Sequence, residues 1–330
     1  MGWVHAMAVT QDELSSRLEE HRGELNAYCY RMLASPFEAQ DAVQETFIRA
    51  WRAFDRFEGR ASLRSWMYRI ATNVCLDMLR SSERRARPMD LGPAGEPVAE
   101  SLTESPEATW VEPAPAGFVV GAEGDPAEIA AARDTVRLAF VAALQHLPPR
   151  QRAALILCEV LQWKASEVAE LLGTTVASVN SALQRARATM EASRPTAAEA
   201  DLALGMADRE LLARYVRAFE AYDIDALTAL IHEDATQSMP PYDLWLSGRD
   251  DIFRWWLGPG IGCRGSRMVP TVAANGSPAF GQYKPCAAGG HEPWALQVLE
   301  LCGGRIVELT FFLGTEKLFP LFGLPPRLDD

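Results

Sequence analysis

Between Pro88 and Asp125 the chain reads PMDLGPAGEPVAESLTESPEATWVEPAPAGFVVGAEGD, and this stretch constrains the fold more than any other. It is rich in Pro, Gly, Ala and Glu and carries neither the 3.6-residue nor the two-residue hydrophobic period. Such a segment buries too little apolar surface to offset its own ordering entropy. The 330 residues are therefore expected to fold as bodies on either side of a largely extended, acidic, Pro/Ala/Gly-rich linker, 88–127. A second, shorter break at 194–205 (within SRPTAAEADLALG) separates a third body. The expected bodies are 8–87, 128–193 and 206–330.

The net charge of −12 argues at first against nucleic acid as a partner, but its distribution reverses that reading. Residues 88–128 hold nine acids and no Lys or Arg, whereas 64–87 carry Arg64, Arg69, Arg80, Arg84, Arg85 and Arg87 against only Asp77 and Glu83. The six cysteines are scattered without a CxxC pair, which argues against a disulfide framework or a zinc site. No apolar run approaches the ~20 residues of a membrane span, and the N-terminus lacks a signal-peptide pattern. A cytoplasmic protein without a membrane partner, cofactor or metal is expected.

The first body reads as helices. In DAVQETFIRAWRAF, Val43, Phe47, Ile48, Trp51 and Phe54 share one face, opposite Asp41, Gln44, Glu45, Arg49 and Arg52. Gly59 breaks the chain, and Ser62 can cap a following helix whose stripe is Leu63, Met67, Ile70, Ala71, Val74 and Met78. In the second body, WKASEVAELLGTTVASVNSALQRARATM has the spacing of a helix-turn-helix. Ala169 permits close helix approach, Gly173 makes the turn, and Val168, Leu172, Val176, Val179 and Leu183 close a small core. The second helix then exposes Thr175, Ser178, Asn180, Ser181, Gln184, Arg185 and Arg187, groups able to read base edges or hold phosphates. A helical hairpin with a solvated polar face would show the same pattern.

LPPRQRAALILCEVLQWKASEVAELLGTTVASVNSALQRAR closely resembles region 4 of bacterial sigma factors, and DAVQETFIRAWRAFDRFEGRASLRSWMYRIATNVCLDMLR resembles their region 2. Both in this order, without a region 3 domain, resemble the extracytoplasmic-function group. The resemblance implies core RNA polymerase and promoter DNA as partners. It places polymerase binding on Asp41, Gln44, Glu45 and Phe47, with a solvated face as the bland reading. It places the minus-ten element against Arg60, Ser62, Leu63, Trp66, Arg69, Asn73, Arg80 and Arg84, where a flipped base is captured beside Gly59. Trp66 and Tyr68 would supply stacking on single-stranded DNA, although Trp66 fits the core equally well. The recognition helix would read the minus-thirty-five element. Many members have two arginines where this chain has Asn180 and Ala182; Asn suits adenine rather than guanine. Arg185 and Arg187 would then hold phosphates. The acidic linker is either an inert spacer or an occupant of the polymerase's positively charged cleft.

Residues 206–330 read as helices at 207–221, 223–231 and 248–257, then strand-like runs SRMVPTVAA, PAFGQYK, WALQVLEL and RIVELTFFL in an antiparallel meander. Cys302-Gly303-Gly304-Arg305 signals a hairpin. Element order resembles the SnoaL-like fold, an α+β cone. The expected architecture is thus multidomain: two all-α sigma domains followed by a SnoaL-like cone domain. Tyr242, Trp245, Arg249 and Trp294 are its candidate ligand pocket, and His232, Asp234, Asp250 and His291 complete the candidate acid–base groups. A regulated transcription initiation factor and a cyclase- or hydrolase-type enzyme fused to a DNA-binding module are the two functional readings. The short second linker keeps the third body near the recognition helix, and contact between 206–330 and the first body is expected.

Overall fold

The computed structural model describes residues 11–57, 59, 61–80, 85–119, 135, 137–192 and 205–329. The first body is a bundle of α1 (Gln11–Glu19), α2 (Arg22–Leu33), α3 (Pro36–Ala53) and α4 (Leu63–Met78). Ser35 caps α3, its hydroxyl accepting from the Glu38 amide at 3.3 Å, with Pro36 in the first turn. Ser62 caps α4 as its sequence predicts, accepting from the Ser65 amide at 3.1 Å. The buried face of α3 is not the expected aromatic one. Ala39, Ala42, Val43, Thr46 and Ala50 turn inward, while Phe47, Ile48 and Phe54 are half-buried and Trp51 is 49% exposed. Small side chains let α2 and α3 pack closely, and the bulky stripe is displaced to the flank.

The second body comprises α5 (Leu138–Gln145), α6 (Pro149–Leu155) continued by a π-helical turn (Ile156–Val160), α7 (Ala165–Leu171) and α8 (Val176–Ala192). Gly173 adopts φ +61 between α7 and α8, a conformation that costs glycine little. Val168, Ala169, Val179 and Leu183 are buried beneath the turn. Leu172 is only half-buried and Val176 is 43% exposed, because the first turn of α8 points away from that core. Among the described residues no helix is long and apolar enough to cross a membrane.

The third body begins with α9 (Met206–Ala221) and α10 (Ile224–Leu230). Its six strands are β1 (Ile231–Ser238), β2 (Trp245–Ser247), β3 (Arg267–Pro270), β4 (Ala279–Pro285), β5 (His291–Cys302) and β6 (Arg305–Phe312), with α11 (Arg249–Leu257) before β3 and α12 (Thr315–Leu321) last. The sheet order is β2-β1-β6-β5-β4-β3. The four expected runs are β3 to β6, and Gly303 and Gly304 turn the last hairpin at φ +58 and +71. The expected antiparallel meander is present as β3 to β6; β1 and β2 were not foreseen, and β1 joins β6 in parallel, so the sheet is mixed. His232 and Asp234, two of the candidate acid–base groups, lie in β1.

The two faces of this sheet belong to different cores. Ala295, Leu299, Leu309 and Phe311 face the cone with Tyr215, Phe219, Trp255 and Trp256. Leu296, Val298 and Phe312 alternate to the other side, pack with Phe319 and Phe322, and are continuous with the core of the helical bodies.

The described part of the acidic segment, 88–119, alternates extended stretches with short helical turns (Pro88–Leu91, Ala99–Ser101, Glu107–Thr109 and Ala116–Val119), and it is held rather than free. Ala86 pairs with Thr109 and Val111 through backbone bonds of 2.7 and 3.1 Å. Arg85, buried, reaches Glu38 at 2.9 Å, Glu112 at 3.6 Å and the Trp110 carbonyl at 2.7 Å. Burial pushes the Glu112 carboxyl up, and the Arg85 charge opposes that shift. Farther along, Asn275 of the third body ties the linker and the first body together. Its side-chain nitrogen donates to the Tyr30 hydroxyl of α2 at 2.7 Å, and its side-chain oxygen accepts from the Ala114 amide at 2.8 Å. Its own amide donates to the Ala114 carbonyl at 2.9 Å, while Tyr30 donates onward to the Glu112 carbonyl at 2.8 Å. The expected contact between 206–330 and the first body is therefore present, and the linker takes part in it. Arg137, preceding α5, pairs with Glu300 of β5 at 3.3 Å, and Arg31 of α2 donates to the Thr135 hydroxyl at 2.7 Å.

Asn275→Ala removes this buried set and also places alanine at φ +52. We expect a loss of roughly 2–4 kcal/mol in urea unfolding, from buried groups left unpaired, and a larger radius of gyration by small-angle scattering. Unchanged values in both measurements would contradict the assignment of Asn275 as the tie.

Candidate nucleic-acid interface and cone cavity

Helix α8 presents all seven predicted residues to solvent: Thr175, Ser178, Asn180, Ser181, Gln184, Arg185 and Arg187 are exposed. They are not equally available. The Thr175 hydroxyl caps the helix by accepting from the Ser178 amide at 3.2 Å, and Arg185 donates to Ser181 at 3.0 Å. Arg187 is ion-paired to Glu159 of the π-helical turn. Asn180 and Gln184 lie four residues apart on one exposed face, a spacing that suits a groove.

Of the predicted minus-ten residues, Arg60 and Arg84 lie outside the described residues. Ser62 is committed to its cap, Leu63 is half-buried, and Asn73 and Arg80 are exposed, Arg80 pairing with Asp77 at 3.2 Å. Trp66 is half-buried in an aromatic cluster, its ring 4.8 Å from Phe57 and 6.4 Å from Phe54. Tyr68 departs from expectation: it is fully buried, its ring 5.2 Å from Trp163, and burial pushes its hydroxyl well up. Stacking on a base is not open to it here.

The second body sits on this same helix. Arg69 pairs with Glu170 of α7 at 3.2 Å. Arg64 lies 5.6 Å over the Trp163 ring and 5.1 Å over Tyr68, and donates to Glu24 at 2.6 Å. Part of the basic face of α4 is thus covered by the helix-turn-helix body. The next segment, with Asp41 and Gln44 exposed on α3, is open. Glu45 pairs with Arg49 at 2.7 Å, and Arg22 lies 4.7 Å over Phe47. Trp51 on this flank was not foreseen as a surface residue; the run of alanines at 39, 42 and 50 was the available signal.

In the third body a cavity of about 360 Å³ opens inside the cone. Tyr242 and Trp294 line it, as expected. Trp245 and Arg249 do not. Trp245 donates its indole N–H to the Gly92 carbonyl at 2.9 Å, and Arg249 donates to the carbonyls of Thr228 and Ile231 at 3.0 and 3.1 Å, fastening α10 to β1. Gln237, Cys263 and Lys284 line the cavity instead, at positions no local motif marks. The expected acid–base groups His232, Asp234, Asp250 and His291 are absent from the lining, which contains no carboxylate and no imidazole. Among the described residues no cluster of three or more His, Cys, Asp or Glu could hold a metal.

Three family models match the chain: Sigma-70 region 2 over residues 18–85, Sigma-70 region 4 over 137–190 and the SnoaL-like domain over 212–309. The ECF RNA polymerase sigma factor SigG of Mycobacterium tuberculosis is 46% identical over 320 residues, covering 96% of this chain and 85% of that protein. SigJ of the same organism, also an ECF sigma factor, is 29% identical over 250 residues, covering 74% and 72%. The crystal structure of SigJ shares the fold, with a TM-score of 0.60 and 22% identity over 94% of this chain and all of that one. With both sigma regions and the cone domain in one order, and 46% identity along nearly its whole length, the chain belongs to the extracytoplasmic-function RNA polymerase sigma factors.

Proposed function

We propose that this sigma factor joins core RNA polymerase through α3, captures the minus-ten strand with α4 and reads the minus-thirty-five element with α8, and that the cone domain holds it in a closed, inactive arrangement. The observation that carries the last point is the packing of α7 and Trp163 on α4. Two promoter elements about 25 base pairs apart are separated by ~85 Å of duplex at 3.4 Å per base pair. Bodies in direct contact do not span that distance. The Asn275 tie, the Arg137–Glu300 pair and the ordered strap hold them together. Promoter engagement requires α4 to be uncovered and the strap to be released, after which its carboxylates are free to enter the polymerase cleft.

The enzyme reading finds no support in the cavity. General acid–base work needs a titratable group within reach of the substrate, and none of the cavity-lining residues supplies a carboxylate or an imidazole.

Three outcomes follow. Gln44→Ala with Glu45→Ala, both on the open flank, should weaken core polymerase binding in a pull-down with unchanged thermal unfolding; unaltered binding removes α3 from that role. Asn180→Ala should relax one minus-thirty-five position at about 1–3 kcal/mol, whereas Arg187→Ala should weaken all promoters alike and lower the salt slope by about 1. A uniform loss from Asn180→Ala contradicts the groove assignment. Asn275→Ala should raise run-off transcription at subsaturating polymerase, because the closed state is weakened; a fall would show that the cone domain supports initiation instead.

A further inference from the structure

The cavity has a lid that does not belong to its own domain. Ala99 and Leu102 of the acidic strap line it beside cone residues. The strap is stitched to the cone rim on both sides of them. The Gly95 amide donates to the Trp245 carbonyl at 2.9 Å, and Trp245 donates back to Gly92 at 2.9 Å. On the far side the Asp243 amide donates to the Thr103 carbonyl at 2.8 Å and the Ser105 amide to the Pro241 carbonyl at 2.9 Å, with the Ser105 hydroxyl on Asp243 at 2.7 Å. Gly95 is held closely enough that a Cβ there would meet Leu244 at 2.6 Å.

The lining fixes the chemistry of an occupant. Its walls are Phe219, Trp255, Trp256, Phe311, Leu313 and Met239, flat and apolar. Among the described residues that line the cavity Lys284 is the one charged group, and its ammonium lies 3.4 Å from the Trp294 ring centroid. The neutral donors are few. Gln237, almost fully buried, gives its carbonyl oxygen to the Trp256 indole at 2.7 Å, which leaves its NH2 for a ligand. Burial pushes the Cys263 thiol up and the Tyr222 hydroxyl up to about 12, so both stay neutral. The Tyr222 hydroxyl donates to the Trp256 carbonyl at 2.5 Å. An apolar slot with one cation, uncharged donors and no carboxylate favours a flat molecule with a single anionic oxygen group.

We infer that the cone cavity is a binding site for a planar, apolar monoanion of about 15–25 non-hydrogen atoms, held by Lys284 against Trp294 and roofed by Leu102 of the strap. Occupancy is thereby coupled to the closed arrangement, since the same strap offers Trp110 and Glu112 to Arg85 and the Glu112 carbonyl to Tyr30, both in the first body. A ligand that binds the roofed cavity better than the unroofed one stabilises closure, and closure tightens the ligand by the same factor. The coupling rests on the closed-state reading above, but the site itself is tested without transcription.

The test uses the full chain and two fluorescent probes: anilinonaphthalene sulfonate, a planar monoanion, and phenylnaphthylamine, a similar aromatic system without the charge. The sulfonate should bind saturably at one site and quench tryptophan emission. Lys284→Met should weaken the sulfonate about tenfold, the scale of a lost charge-assisted contact, and change phenylnaphthylamine less than about twofold. Lys284→Arg should restore most of the loss. Leu102→Ala should weaken both probes, and saturating sulfonate should slow proteolysis within 95–105. Equal sulfonate affinity in wild type and Lys284→Met, or non-saturable binding, overturns the site. Proteolysis unaffected by the probe, with Leu102→Ala silent, overturns the lid. Neither result touches the sigma-factor reading, which fails only in the polymerase and promoter measurements.

Discussion

One buried side chain, Asn275, sets the arrangement on which everything else depends. It satisfies three polar groups, the Tyr30 hydroxyl and the Ala114 amide and carbonyl, and each would be costly to leave unpaired at zero exposure. Because hydrogen bonds in a dry interface are strongest when all partners are present, the tie acts as a unit. Around it the less buried pairs, Arg137–Glu300 and Lys317–Glu107, add direction more than energy. The continuous apolar core that joins one face of the sheet to the helices supplies the bulk of the attraction. Asn275 also accepts φ +52, a left-handed conformation that asparagine tolerates better than most residues, so the turn that presents it is compatible with its own chemistry.

The closed arrangement explains an apparent conflict in the charges. Arg64, Arg69 and Arg85 would repel one another on an isolated basic helix and its tail. Here Glu24, Glu170, Glu38 and Glu112 neutralise them from four other parts of the chain. The Arg64 and Arg69 pairs are partly exposed, individually weak and screened by salt, whereas the Arg85 pairs are buried. Arg187, paired with Glu159, follows the same pattern on the recognition helix.

Much of the fold was legible in the sequence because the elements concerned are local. The Ser62 cap, Gly173 turn, Gly303-Gly304 hairpin and alternating strands β4 to β6 each depend on neighbours a few residues away. Trp51 and Val176 were misplaced because helical periodicity finds an apolar face without saying which of two faces meets the partner. In β1, IHEDATQS carries too little apolar alternation to announce a strand, and its parallel pairing with β6 is a property of the tertiary fold. The cavity was half legible. Aromatic content pointed to Tyr242 and Trp294, but Gln237, Cys263 and Lys284 converge from three separate elements, and Trp245 and Arg249 turned out to serve backbone carbonyls. The acidic segment, expected to be largely extended, carries short helical turns among its described residues, 88–119. Its composition could not reveal that two folded bodies supply the apolar and polar partners it lacks by itself.

The 245-residue separation between Tyr30 and Asn275 has a temporal meaning during synthesis. At about 5–20 residues per second, the ribosome delivers Asn275 roughly 10–50 s after Tyr30. The second body is complete at Ala192, roughly 80 residues before Asn275, so at that rate about 4–16 s pass in which the first two bodies have been made and the partner of Tyr30 has not. On the proposed closed-state reading, the nascent chain is open for that interval, and polymerase near the ribosome meets it before the third body can close it.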